Sequence, residues 1–534
     1  YAASWSKDRK AWDFIGSGAT SGIYKSEDAG LTWKLFTTAE SGFPVGEGVG
    51  RIGLAVYDDA TVYAVLDNQF KRPLESKKSN SLPIAFSVPG DEFLKIPNKS
   101  LNSILKNYGL TEKFRAENIK HWIQNGYLQP NEAAKVVLEA INSLAEKEVI
   151  GAEVYQSSNG GKNWTKTHPG FIDDFFYSYG YYFSVLSVDP NDVNKIYLSG
   201  VPIIKSNDGG KTFTSISEDN VHADHHVVWV NPNKSGHLIN GNDGGLNISY
   251  DDGAHWFKGN SHGVSQFYAV NVDEQEPYNI YGGMQDNGVW VGPSNYKFSS
   301  EWYQTGKYPY ENLIGGDGMQ IQIDKRNPNI VFTGFQFGNY YRIDRANNKR
   351  DYISPVQKKG EKPFRYNWQT PILLSSHNQE ILYMGSNFLH RSMNQGQTWT
   401  AISPDLTQGA KEGNVAFGTI AAISESPLQF GLLYTGSDDG LVHVSKDGGA
   451  TWNIISGNLP QNRWISRVVA SAHKKERVYV TLNGYRNDDF TTYVYMSDDF
   501  GQTWINIATN LPTSPVNVLV EDNVNEDVLY LGTD

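Results

Sequence analysis

Short apolar runs closed by glycine or a polar turn punctuate the chain: Ile196-Tyr197-Leu-Ser-Gly200 after Asp189-Pro190, Tyr278-Asn-Ile-Tyr281-Gly-Gly, and Asn329-Ile-Val-Phe332-Thr-Gly. Runs this short, rich in β-branched and aromatic residues and bounded by Gly, Pro and Asn, predict strands. Between them one octapeptide, S-x-[DN]-x-G-x-x-[WF], recurs seven times, starting at Ser26, Ser157, Ser206, Ser249, Ser392, Ser445 and Ser497. Its logic is that of a hairpin: a strand ends at Ser, Asp or Asn bonds the turn backbone, Gly takes a positive φ, and the aromatic packs under the turn. The motif's third residues, Asp28, Asn159, Asp208, Asp251, Asn394, Asp447 and Asp499, are therefore read as folding residues, not catalytic ones.

Successive closing aromatics lie 49 residues apart (Trp164 to Phe213), then 43 (to Trp256), and later 53 and 52 (Trp399, Trp452, Trp504). A four-stranded propeller blade takes ~40–50 residues. The gap of 143 from Trp256 to Trp399 is three blade lengths, so two blades without the octapeptide are expected there. The gap of 131 from Trp33 to Trp164 instead contains a stretch, about 70–150, that loses strand character. There Asn131–Glu148 reads as a capped amphipathic helix with Val136, Leu138, Ile141 and Leu144 on one face, and shorter helices are expected near Ser100–Tyr108 and Glu117–Gln124.

The fold class is accordingly all-β: tandem β-propellers of a seven-bladed type with one helical insertion, the alternative being a single ten-bladed ring. Ten whole or partial blades exceed the ~4–8 usual in one ring, which favours two. The expected boundaries are 1–262 and 263–534. The opening phrase Tyr1-Ala-Ala-Ser-Trp and the closing phrase Val528-Leu-Tyr-Leu-Gly-Thr-Asp534 look like equivalent strands, so blades are expected beyond both ends.

Composition narrows the function classes. A formal net charge of −12 opposes a phosphate-binding surface and excludes nucleic acid as a favoured partner. The absence of Cys removes disulfides, thiolate metal sites and cysteine nucleophiles. No apolar run reaches ~18 residues, so no membrane-spanning helix is expected.

Phrases across the whole chain carry a resemblance: Gly16-Ser-Gly-Ala-Thr-Ser-Gly-Ile-Tyr-Lys-Ser, Val221-His-Ala-Asp-His-His, Gly241-Asn-Asp-Gly-Gly245, Gly282-Gly-Met-Gln-Asp-Asn-Gly288, Trp368-Gln-Thr-Pro371 and Ser403-Pro-Asp-Leu-Thr407. The sequence resembles bacterial BNR/Asp-box and sortilin-type (VPS10) repeat proteins, often labelled glycosyl hydrolase, which share the tandem-propeller fold of xyloglucan-cleaving glycoside hydrolase family 74. The resemblance implies an exported protein, secreted, periplasmic or on the cell surface. It implies action on extracellular polysaccharide, or else a non-catalytic module that binds protein or assembles at the surface. No catalytic pair maps over residue by residue.

Inverting hydrolysis needs two carboxyls about 6.5–9.5 Å apart beside aromatic platforms. Asp224 in its His-rich setting, Asp286 in Gln285-Asp-Asn-Gly and Asp317 in Gly315-Gly-Asp-Gly318 are the candidates. Asp243 reads as a turn residue. His222, His225, Trp302, Arg365 and Trp368 are candidate substrate-binding residues, with Tyr303 and Tyr366 beside them. No metal or cofactor is expected, since alternation along a strand sends His225 and His226 to opposite faces. The insertion at 70–150 is the candidate site for a protein partner.

Overall fold

A computed structural model describes residues 1–73, 90–107, 110, 115–124, 128, 132, 135, 137, 148–259, 264–297, 299, 309–358 and 361–534. The chain divides into two compact units, Tyr1–Asp8 with Ile15–Val264, and Arg9–Phe14 with Ser265–Asp534. Each is a series of antiparallel sheets, made from strands consecutive in sequence except in the first, where a small ladder of Asp8–Arg9 with Phe14–Ile15 intervenes.

In unit 1, blade 1 pairs Ala2–Ser4, Gly22–Lys25 and Lys34–Leu35. Blade 2 runs from Val49–Val56 to Thr165–Lys166, blade 3 from Val185–Asp189 to Thr214–Ser215, and blade 4 from His225–Val230 to Phe257–Gly259. In unit 2, blade 5 runs from Phe267–Val272 to Glu311–Ile314 and blade 6 from Gln322–Ile323 to Lys349–Tyr352. Blade 7 runs from Ile372–Leu374 to Thr400–Ala401, blade 8 from Ile420–Glu425 to Asn453–Ile454, and blade 9 from Trp464–Ala470 to Ile505–Asn506. Blade 10 pairs Val516–Glu521 with Leu529–Thr533. Blades 2 to 9 are four-stranded meanders in strand order 1-2-3-4.

The core lies between sheets. One apolar cluster joins blades 2 and 3 through Tyr63, Val65, Leu186 and Ile196. Another joins blades 8 and 9 through Tyr434, Val442, Ile465 and Val480. Successive four-stranded meanders stacked face to face are the blades of a β-propeller, and the protein is an all-β propeller protein. Blades 5 and 6 occupy the stretch where two blades lacking the octapeptide are expected.

Each octapeptide forms the turn from third to fourth strand. The Ser hydroxyl accepts the box Gly N–H at 2.7–2.8 Å. The Asp or Asn Oδ1 accepts the N–H four residues on at 2.9–3.0 Å. The box glycines sit at φ between 83° and 96°, where a Cβ is strained. The turn also reaches the preceding blade: Trp256, Trp399, Trp452 and Trp504 donate their indole N–H to the carbonyls of Ile216, Ile353, Ile402 and Ile455 at 2.5–2.9 Å. A Cβ on Gly253 or Gly501 would lie 2.7 or 2.4 Å from those same isoleucines. The motif is thus a staple between blades as well as within a hairpin.

The long gap before Trp164 is an excursion from one turn. Strands Val62–Lys71 and Val149–Ser157 of blade 2 pair directly, and the intervening segment leaves from between them. It contains helices Gly90–Lys95, Asn98–Asn107 and Ala116–Gln124, around a small core of Phe93, Leu101, Leu105, Ala116, Ile119 and Val137. The helix expected over Asn131–Glu148 lies mostly outside the described residues.

Candidate functional site

A meander places its successive turns at alternate ends. The Asp-box turns, between third and fourth strands, lie at one end of each sheet. The turns between second and third strands lie at the other, together with the start of each inner strand. That second end carries the acidic and aromatic groups outside the octapeptides.

A backbone irregularity sharpens this end. The inner strands of blades 4, 5, 8, 9 and 10 each skip one residue of register at their second or third position: His226, Tyr268, Ala421, Ser466 and Asn517. A β-bulge re-aims the unpaired residue's side chain. Two of the five bulged residues, His226 and Tyr268, carry chemistry of interest.

In unit 1, His226 Nε2 lies 2.6 Å from Asp243 Oδ1 in the second-to-third turn of blade 4. Tyr182 and Phe183 flank its ring at 5.5 and 5.6 Å. Asp224 stands in the left-handed region (φ 65°), its N–H donating to the Val201 carbonyl and its carbonyl accepting the Asp243 N–H. His222 packs on Gly244, where a Cβ would come within 2.4 Å of it. His225 differs from expectation. It is fully buried, its Nδ1 is 2.8 Å from Asn240 Oδ1, and burial pushes its imidazole down to about 4. It lies beneath this surface as a neutral core histidine and is no ligand contact.

Unit 1 also holds a carboxyl that the motif search passes over. Asp67, at the end of the second strand of blade 2, is buried among backbone: a Cβ on Gly50 or Gly180 would collide with it. Its Oδ1 accepts Gln69 Nε2 at 2.7 Å while Oδ2 has no partner. Burial raises it to about 6.

In unit 2 a polar chain runs through the bulge of blade 5. Trp368 Nε1 donates to the Tyr268 hydroxyl (3.1 Å), which donates to Gln285 Oε1 (3.1 Å) and, more weakly, to Asp317 Oδ2 (3.5 Å). Asp317 Oδ1 accepts the Asp286 N–H at 2.7 Å, and Asp286 sits at φ 59° in the turn. Burial first, then the charges of Asp317 and Asp286, push the Tyr268 phenol well above its ordinary range, so it remains a donor. Sequence reading assigned Asp286, Asp317 and Trp368 separately; the structure brings them to one place and adds Tyr268 and Gln285. Phe337 lies edge-on to Trp368 at 5.1 Å.

Behind this chain, Asn367 Oδ1 accepts the Trp368 N–H (2.7 Å) and its Nδ2 donates to Asp438 Oδ2 (2.8 Å). Thr419 donates to Asp438 twice, from N–H and hydroxyl. Burial lifts the Asp438 carboxyl to about 7 against these donors. Its local signal is only the Asp438-Asp439-Gly turn, which reads as any other hairpin.

Two expectations need correction or fall outside. Arg365 is already held within the protein: its guanidinium donates to Asp405 (2.8 Å), Thr407 (2.9 Å) and the Gly418 carbonyl (2.9 Å). Trp302 and Tyr303 lie outside the described residues. The box aspartates are at the opposite end of their sheets, and the side-chain donors upon them, Thr32, Ser206, His255, Thr451 and Thr503 first, hold Asp28, Asp208, Asp251, Asp447 and Asp499 down to about 2. No helix among the described residues is long and apolar enough to cross a membrane.

No family model matches the chain, and no curated protein matches it. Among solved structures it is similar to the GH74 enzyme of Niastella koreensis, at 13% identity over 98% of this chain and 77% of that one, TM-score 0.25. It is also similar to the GH74 xyloglucanase of Xanthomonas campestris, at 11% identity over 99% and 85%, TM-score 0.25. A third is YCF48 of Cyanidioschyzon merolae, at 12% identity over 65% and 90%, TM-score 0.28. The propeller fold rests on the sheets themselves.

Proposed function

We propose that the chain is an exported β-propeller protein acting on extracellular polysaccharide, hydrolysing glycosidic bonds in the manner of family 74, with Asp286 and Asp317 as the carboxylate pair. Each compact unit is read as part of its own ring. The observation that carries the reading is the convergence in unit 2 of two carboxylates and the Trp368–Tyr268 aromatic pair on one bulged strand start. Asp286, in the turn, is the partner suited to orient a water; Asp317, buried and touched by a phenol, is the one suited to exchange a proton with a leaving oxygen.

A second reading, a sortilin-like module that binds protein or peptide without catalysis, is favoured by one observation. Both oxygens of Asp317 are already engaged, one by the Asp286 backbone and one by Tyr268. In that reading the helical insertion, which leaves blade 2 at the non-box end, is the docking element.

Reducing-sugar release from a panel including xyloglucan separates the two. Hydrolysis predicts release by the wild type and a loss on the order of 10²–10⁴-fold in both Asp286→Asn and Asp317→Asn. Asp351→Asn, on the outer strand of blade 6, should retain wild-type release. No release from any glycan by the folded protein would replace the first reading with the second.

A further inference from the structure

The second-to-third turn of blade 9 holds an arginine without a counter-ion. Tyr485–Asn487 forms one turn of 3-10 helix closed by Asp488 at φ 54°. The Arg486 guanidinium lies over the Trp464 ring at 4.1 Å and the Tyr485 ring at 4.5 Å. Among the described residues it makes no hydrogen bond and has no carboxylate at ion-pair distance. Of the other arginines in this blade, Arg463 pairs with Asp489 at 2.8 Å and Arg477 with Asp498 at 2.6 Å, while Arg467 donates to the Ser466 carbonyl.

A second cation stands near. Arg9, in the stretch Arg9–Phe14 that belongs to this unit, acts on Arg486 as a like charge and has no carboxylate partner among the described residues. Asp438 and Asp534 act on Arg486 in the opposite sense without reaching it. Arg486 is half-buried beside this second cation, and an anion placed on it would offset the like-charge repulsion. Stacked between two rings, Arg486 keeps its in-plane N–H donors free, the geometry that takes a carboxylate with two parallel bonds. The same turn exposes Tyr485 (41%) and Phe490 (54%), flat apolar faces of the kind on which a sugar ring rests.

We propose that this turn is a carboxylate-binding subsite and that the polysaccharide taken by unit 2 is acidic, a chain of uronic acid residues. The inference rests on the polysaccharide reading above and specifies its substrate class. With a net charge of −12 the molecule as a whole repels polyanions, so retention of one requires a local site such as this.

The test is affinity electrophoresis of the full chain in gels containing polygalacturonate, its fully methyl-esterified form, or polyglutamate. Methyl esterification removes the charge and leaves the sugar. The expected result is retention by polygalacturonate at least about 10-fold tighter than by the ester. It is weakened about 10-fold in Arg486→Lys, which loses the fork, and abolished in Arg486→Ala. Arg350→Ala, on the outer strand of blade 6, should match the wild type. Equal retention by acid and ester overturns the proposal, as does wild-type retention by Arg486→Ala with an unchanged melting temperature. Equal retention by polyglutamate overturns the glycan assignment in favour of an acidic peptide. Retention without sugar release leaves the subsite standing and removes the hydrolase; sugar release from neutral glycans without retention removes the subsite alone.

Discussion

Two neighbouring seams of unit 2 are built on one plan and finished differently. Where blade 7 meets blade 8, the second-strand Tyr383 hydroxyl donates to Glu425 (2.9 Å), the last residue of the next inner strand. Ser375 donates to the same carboxylate at 2.6 Å, and His377 reaches the Ser426 carbonyl. The seam between blades 9 and 10 repeats this with Tyr479, Ser471, Glu521 and His473. Between blades 8 and 9 the register is the same, but Ala470 stands in the glutamate's place and Leu428 in the histidine's. Among the described residues the Tyr434 hydroxyl is left buried without a partner. At the seam between blades 6 and 7 Phe332 faces Leu374, both in one apolar cluster, and no hydroxyl is stranded. A seam can be closed by a polar clamp or by apolar packing; blades 8 and 9 keep the tyrosine of the first and the apolar residues of the second.

The largest expected effect comes from breaking the clamp. Glu425→Ala should cost about 3 kcal/mol, measured as the shift in unit 2's urea unfolding, because two buried hydroxyls lose their acceptor and a cavity opens. Tyr383→Phe should cost about 1–1.5 kcal/mol, since the carboxylate keeps Ser375 but loses one donor. The same change at the neighbouring seam should have the opposite sign: Tyr434→Phe removes an orphan and should stabilise by about 0.5–1 kcal/mol. A loss there equal to that at Tyr383 would mean that Tyr434 has a partner. The smallest effect is the coupling in a double-mutant cycle of Ala470→Glu with Tyr434→Phe, about 0.5 kcal/mol in favour of the Glu–Tyr pair.

The blades were readable because their cause is local. A Ser, an Asp and a Gly within five residues fix each box turn, and Phe332-Thr-Gly or Tyr281-Gly-Gly suffices to mark a blade without one. The helices near residues 100 and 117 were legible from their apolar spacing to within two residues of Asn98–Asn107 and Ala116–Gln124. The short helix Gly90–Lys95 had no comparable pattern. Functional groups were harder because their partners lie one or more blades away. Arg365 reads as a free cation until Asp405, 40 residues on, is seen to hold it. Tyr268 gains interest only from Trp368, 100 residues on, and from a bulge that no residue type announces. His225 and His226 face opposite sides as strand alternation requires, but which of the two is buried was not legible from the sequence. Arg486 stood out in no motif, since what distinguishes it is a missing neighbour.

The alternation of turns gives the two ends of every blade different histories. At the box end four of the seven turns are bound into the blade before them through an indole and an isoleucine carbonyl, so a change in length there disturbs two blades. At the other end turns also touch neighbouring blades, as Asp286 does through Asp317, yet blade 2 has accepted some 75 residues at that point while Val62–Lys71 and Val149–Ser157 stay paired. The protein is a frame with one end fixed and one end open to novelty.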